Sequence, residues 1–154
     1  MKKLVKVFAV LLVFLCVFGV FSGCAPQTVG EKGEVYFCVL VDGVSVTFET
    51  TFDTSNTDMV TLSDLMEYLQ ENNGNFTYTE SGGMVVSILG ITADSLSREF
   101  WAIYTDCEVG GIPYFDNSWG TVTVNNKTLG SASKGIKELP LQKGATYVFE
   151  KSNW

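Results

Sequence analysis

The chain alternates between three kinds of pattern. Residues 35–41 (Val-Tyr-Phe-Cys-Val-Leu-Val) form a β-branched and aromatic run, Asp42-Gly43 follows, and Val44 to Thr50 alternate apolar with polar. Asp-Gly between two such runs signals a tight hairpin. The first run is apolar on both sides and is expected to be buried on both faces. The second should turn Val44, Val46 and Phe48 inward and Ser45, Thr47 and Glu49 to water. Thr61-Leu62-Ser63-Asp64 then opens a helix, with Thr61 as N-cap and Asp64 near the positive end of its dipole. Leu62, Leu65, Met66 and Leu69 share one helical face, and Asn72-Asn73-Gly74 ends it. Further strands are expected at residues 76–80, on either side of a Gly82-Gly83 turn up to Ile91, at 99–105, at 120–124 and at 145–150. The sum is an α+β fold, a mixed sheet of about six to seven strands with one main helix packed on it.

The beginning of the chain has a different logic. After Lys2, Lys3 and Lys6, residues 7–21 are apolar without interruption and lead into Ser22-Gly23-Cys24. Fifteen residues match a signal-peptide core and fall short of the roughly 20 that cross a bilayer. Small residues before a Cys resemble the bacterial lipobox, in which that Cys is acylated. The expected organisation is a lipoprotein signal peptide at 1–23, acylated Cys24 and a flexible tether at 24–33, and one domain at 34–154. The membrane is thus a partner through lipidated Cys24, with the domain on the extracellular or periplasmic side.

Composition narrows the function. The chain of 154 residues is 46% hydrophobic, 18% charged and carries a net charge of −7, which becomes −10 without the three leader lysines. Such a surface repels phosphate backbones, so nucleic acid is not an expected partner. No His is present, which removes Ser-His-Asp and Cys-His chemistry and the commonest general base. The expectation is a protein that is not an enzyme. Asp53, Ser55 and Asp58 cluster oxygen ligands of the kind calcium takes, yet the spacing lacks the EF-hand glycine and distal Glu. A polar loop feeding the helix cap is expected there, and no metal.

Two constellations remain. Cys38 and Cys107 are the thiols left after processing, and an oxidising exterior allows either a disulfide between them or two buried free thiols. Residues 110–120 combine Gly, Pro and Asn with Tyr114, Phe115 and Trp119, and read as an aromatic loop. Rings on loops make contact area at low entropic cost, so this loop is either a binding surface or a lid over the core. Trp101 and Tyr104 lie on the preceding strand, as core or as contributors to the same surface.

The hairpin followed by Thr61 to Met66, the block Gly83 to Ile91 leading to Trp101-Ala102-Ile103-Tyr104, and Leu139-Pro140-Leu141 through Phe149 together resemble the transcobalamin-like C-terminal domain family. Its members often sit on bacterial lipoproteins and have β-grasp-type folds. The chain departs from the family pattern after Tyr104 and at Ala145. The resemblance implies cobalamin or another corrinoid as ligand, handed on to a vitamin importer. Tyr114, Phe115 and Trp119 would then pack on the macrocycle, with Trp101 and Tyr104 beside them, while Asp106 and Asn117 meet its amides. The alternative is a cell-surface protein–protein interaction or structural module with no small-molecule ligand.

Overall fold

In the computed structural model, residues 33–52 and 59–153 are described. Strands β1 (Gly33–Val41) and β2 (Val44–Phe52) form the expected hairpin, with Asp42 and Gly43 both at positive φ. Helix α1 (Leu62–Asn72) follows. A small three-stranded sheet is built from β3 (Tyr78–Ser81), β4 (Met84–Ile88) and β5 (Ile91–Thr92), and one 3-10 turn (Ser95–Ser97) leads to β6 (Glu99–Thr105). The miniature hairpin β7 (Glu108–Val109) and β8 (Ile112–Pro113) precedes the long pair β9 (Phe115–Val124) and β10 (Lys127–Ala132), and β11 (Thr146–Asn153) ends the domain.

The main sheet has the order β2-β1-β11-β6-β10-β9. Its one parallel pair is β1 with β11, and all other neighbours are antiparallel. A hairpin, a helix, and a last strand returning beside the first make the α+β architecture that the pattern predicts, in the β-grasp-like form that the resemblance implies.

The helix starts where expected because its end groups are satisfied. Thr61 accepts from the Asp64 N–H while the Asp64 carboxylate accepts from the Thr61 N–H at 2.7 Å, a reciprocal capping box. The next two N–H groups, on Leu62 and Ser63, donate to the carbonyls of Leu139 and Ile136 at 2.9 and 3.0 Å. The late segment thereby clamps the helix onto the sheet, using donors a helix start would otherwise leave orphaned.

Burial follows the period of two. Val35, Phe37, Val39, Trp101, Tyr147 and Phe149 face α1, whose Leu62, Leu65, Met66 and Leu69 complete the principal core. Phe76 sits edge-on between Phe37 and Phe48, at centroid distances of 5.4 and 5.2 Å. The opposite, outer face holds a second cluster of Cys38, Leu40, Ala102, Tyr104 and Val148, closed by Val124 and Leu129 from the β9–β10 hairpin. The first run is thus buried on both sides, as its composition predicts.

Three expectations need correction. Val44 and Val46 lie on the helix side of β2 with Phe48 but are 66% and 36% exposed, because the core packed under Phe48 does not extend to the hairpin tip. Residues 110–120 are not an irregular loop: they form the turn and second strand of the β7–β8 hairpin and the first part of β9. Strand β10 went unread, with only Leu129 as a large apolar residue.

Candidate functional site

The site is built on an interruption in the β9–β10 ladder. Gly130 pairs with Thr121, but the next residue, Ser131, pairs with Asp116, so residues 117–120 are extruded as a bulge on the sheet edge. Asp116 Oδ1 holds its base, accepting from the Ser118 N–H at 2.8 Å and the Ser118 hydroxyl at 2.6 Å. These bonds favour the ionised form and keep the Asp116 carboxyl below the usual range. At the other end Gly120 has φ 133, a conformation that side chains resist. A Cβ there would lie 3.7 Å from the Tyr104 hydroxyl, which places the bulge against the outer face of β6. Gly130 lets Asn117 and Phe115 lie directly over the β10 backbone. Trp119 stands at the crest, 67% exposed.

The sequence-predicted residues divide sharply. Tyr104, Phe115, Asn117 and Trp119 converge on the bulge. Phe115 is half-buried, and burial, with Glu150 nearby, pushes the Tyr104 hydroxyl above its ordinary value. Tyr114 instead packs half-buried on the principal core, its N–H donating to Cys107 O at 2.9 Å and its carbonyl accepting from Ser133. Trp101 is buried on the helix side, the face of β6 opposite Tyr104, so these two rings do not share a surface. Its Nε1 has no hydrogen-bond partner among the described residues. Asp106 is engaged in the fold: Oδ1 accepts from the Thr146 N–H at 2.7 Å and Oδ2 pairs with Lys127. Beside it the Thr105 hydroxyl donates to Thr146 O at 2.7 Å, so this corner anchors the start of β11.

Cys38 and Cys107 are free thiols, which corrects the disulfide alternative. They belong to clusters on opposite faces of the main sheet, and β1 and β6 hold them apart. Cys38 Sγ lies 2.9 Å from Ser45 Oγ, and Cys107 donates to Pro140 O at 3.4 Å. Burial raises both thiols above their ordinary value of 9.0. Cys24, the leader and the Asp53–Asp58 oxygen cluster lie outside the described residues.

Chemically, the bulge is an indole plate rimmed by an amide (Asn117), a hydroxyl (Ser118) and a carboxylate (Asp116). It can cover an apolar or conjugated ring while hydrogen-bonding polar groups at that ring's edge. Gly120, Gly130 and the Asp116–Ser118 turn were missed by sequence reasoning; Asp-x-Ser is a readable turn signal, whereas nothing local marks Gly130. A cavity of about 500 Å³ lies at the other edge of the sheet, lined by Glu34, Val35, Tyr36, Thr50, Thr51 and Gly144, and apart from the bulge. Among the described residues no group of three or more Cys, Asp or Glu is placed to hold a metal ion.

No known family profile and no curated protein sequence matches the chain. Among solved structures, haptocorrin in complex with Cbi is similar at a TM-score of 0.53 and 19% identity, over 81% of this chain and 26% of that one. A protein from Ruminococcus gnavus ATCC 29149 named for a presumed metal-binding role aligns at a TM-score of 0.48 and 15% identity, over 79% of this chain and 98% of that one. This chain therefore spans about a quarter of haptocorrin's length, and the likeness is one of fold: the domain has a transcobalamin-like α+β architecture.

Proposed function

We propose that the protein is a membrane-anchored, extracytoplasmic lipoprotein that binds a corrinoid, cobinamide or a related cobamide, on the Trp119 bulge and passes it to an importer. The observation that carries this reading is the two-thirds exposure of Trp119 at the crest of a bulge held at both ends. An indole of that size left in water costs contact area that a flat ligand would recover. The leader ending in Ser22-Gly23-Cys24 supports the anchor and the outward location. The haptocorrin structure, whose name includes Cbi, supports the ligand class. In this reading Trp119 and Phe115 pack on the ring system, Asn117 and Ser118 meet its peripheral amides, and Tyr104 supports the bulge from beneath. Trp101, Tyr114 and Asp106 hold the scaffold.

The test is a tryptophan-fluorescence titration of the domain from Ala25 onward with cobinamide, cobalamin and, as a control for indiscriminate stacking, haem. Saturable quenching by corrinoids alone is expected, and Trp119→Ala should weaken it by at least ~1 kcal/mol, about fivefold or more. Equal affinity in the Trp119→Ala protein would remove the bulge from the site, and a flat titration of folded protein would remove the ligand class.

A further inference from the structure

The two edges of the main sheet are not alike. The β9 edge is broken by its four-residue bulge, a feature that blocks strand addition. The β2 edge has no such guard. Strand β2 pairs with β1 through nine consecutive positions without a register shift, and among the described residues no strand pairs with its other side. Its sequence, Val-Ser-Val-Thr-Phe-Glu-Thr-Thr-Phe, holds no Pro, Lys or Arg and a single acid, within a chain of net charge −7. Long, straight and weakly charged edges are templates for another strand, and Val44 and Val46 add exposed apolar surface beside this one.

We infer that β2 is a self-association edge, on which a second copy of this chain adds its own β2 antiparallel to form a continuous sheet across a two-fold axis. The strand is complementary to itself. Centred on Phe48, the pairing sets Val44 opposite Phe52 of the second copy, Val46 opposite Thr50, Ser45 opposite Thr51 and Thr47 opposite Glu49. Val46 and Thr50 meet on one side and Ser45 and Thr51 on the other, and the register sets no acid opposite an acid. A register centred on Glu49 would oppose two carboxylates and is disfavoured. The single acid of β2 gives a basic strand only one carboxylate to pair with, so charge does not favour a basic partner over a second copy. One strand pair buries less than the ~1,200 Å² of a standard stable interface, so the dimer is weak and reversible in solution.

Sedimentation velocity of the full chain in mild detergent, from micromolar to near-millimolar protein, tests this. A rise toward the dimer with concentration is expected, accompanied by slowed hydrogen exchange at β2 amides. Val46→Lys combined with Thr50→Lys sets a lysine of each copy opposite a lysine of the other on both sides of the axis, and should raise the concentration needed at least tenfold. Trp119→Ala should leave association unchanged, so failure of the corrinoid reading and of this one are told apart. A wild-type chain that stays monomeric throughout, association that persists undiminished in the double-lysine variant, or β2 amides whose exchange ignores concentration would each overturn the inference. The exchange readout, made on the unaltered chain, decides the matter if the double variant does not fold.

Discussion

Gly130 shows how much of the site rests on atoms that are not there. A Cβ on Gly130 would intrude on Asn117 Oδ1, on Phe115 Cδ2 at 2.7 Å and on the Asn117 backbone nitrogen at 3.3 Å. The Asn117 amide and the Phe115 ring would both have to move, with the Asn117 backbone close behind them, so Gly130→Ala should destabilise the domain by ~1–3 kcal/mol, the usual range for overpacking. Urea unfolding measures the loss, and a shift in Trp119 emission reports that the bulge has moved. An unchanged midpoint with unchanged emission would refute the account. At this scale the sequence is legible by residue type and silent about partners. Trp119 stands out as an aromatic in a Gly- and Asn-rich stretch, and it is exposed. Trp101 and Tyr104 sit three apart on a strand, and the period of two alone places them on opposite faces. Asp106 looks like a free polar handle until the fold brings Lys127 and the Thr146 N–H to it.

Among the elements, α1 was readable from end to end because each of its signals is local: N-cap, first-turn acid, apolar stripe and Asn-Asn-Gly stop. The β1–β2 hairpin was readable for the same reason. Strand β10 was not, since Lys-Thr-Leu-Gly-Ser-Ala has no alternation to detect, and β9 begins with Asp-Asn-Ser residues that normally mark a turn. Yet the link between them carried a signal: Asn125 and Asn126 both adopt positive φ, 50° and 63°, the requirement of a two-residue primed turn. Asn tolerates that region and Ala does not. Asn126→Ala should therefore cost ~1–2 kcal/mol, while Asn126→Gly is neutral or stabilising. Thermal melts of the two variants check the contrast, and equal melting temperatures would mean that the hairpin does not depend on its turn.

For the whole molecule, the buried titratable groups point one way. Burial raises Cys38, Cys107 and Tyr147, whose hydroxyl donates to Pro140 O at 2.7 Å while accepting from the Gln142 N–H at 2.9 Å. The unfolded chain releases these protons first, near the ordinary thiol value of 9.0, so the stability they contribute is whole below that pH and drains away as pH rises toward the folded-state values. Urea midpoints should be level from pH 7 to 8.5 and fall by pH 10.5; a midpoint that holds at pH 10.5 would contradict the burial of these groups. Location has its own test. Cys24→Ala should abolish labelling by a fatty-acid probe and release the domain from the membrane fraction, whereas labelling that survives would sink the anchor.

What the sequence could not supply at this scale is adjacency. That the last strand lies parallel to the first, Tyr36 beside Thr146 more than a hundred residues later, is written in no local pattern. This pairing has a consequence for how the protein comes into being. With β11 absent, β1 lacks one of its two neighbours, the principal core lacks Tyr147 and Phe149, and the order of the sheet is cut in the middle. Contacts so distant in the chain form late and slowly. Until β11 has been made the sheet cannot close, and a partly made chain therefore stays open enough to be threaded through a narrow channel. The domain takes its shape only where β11 arrives.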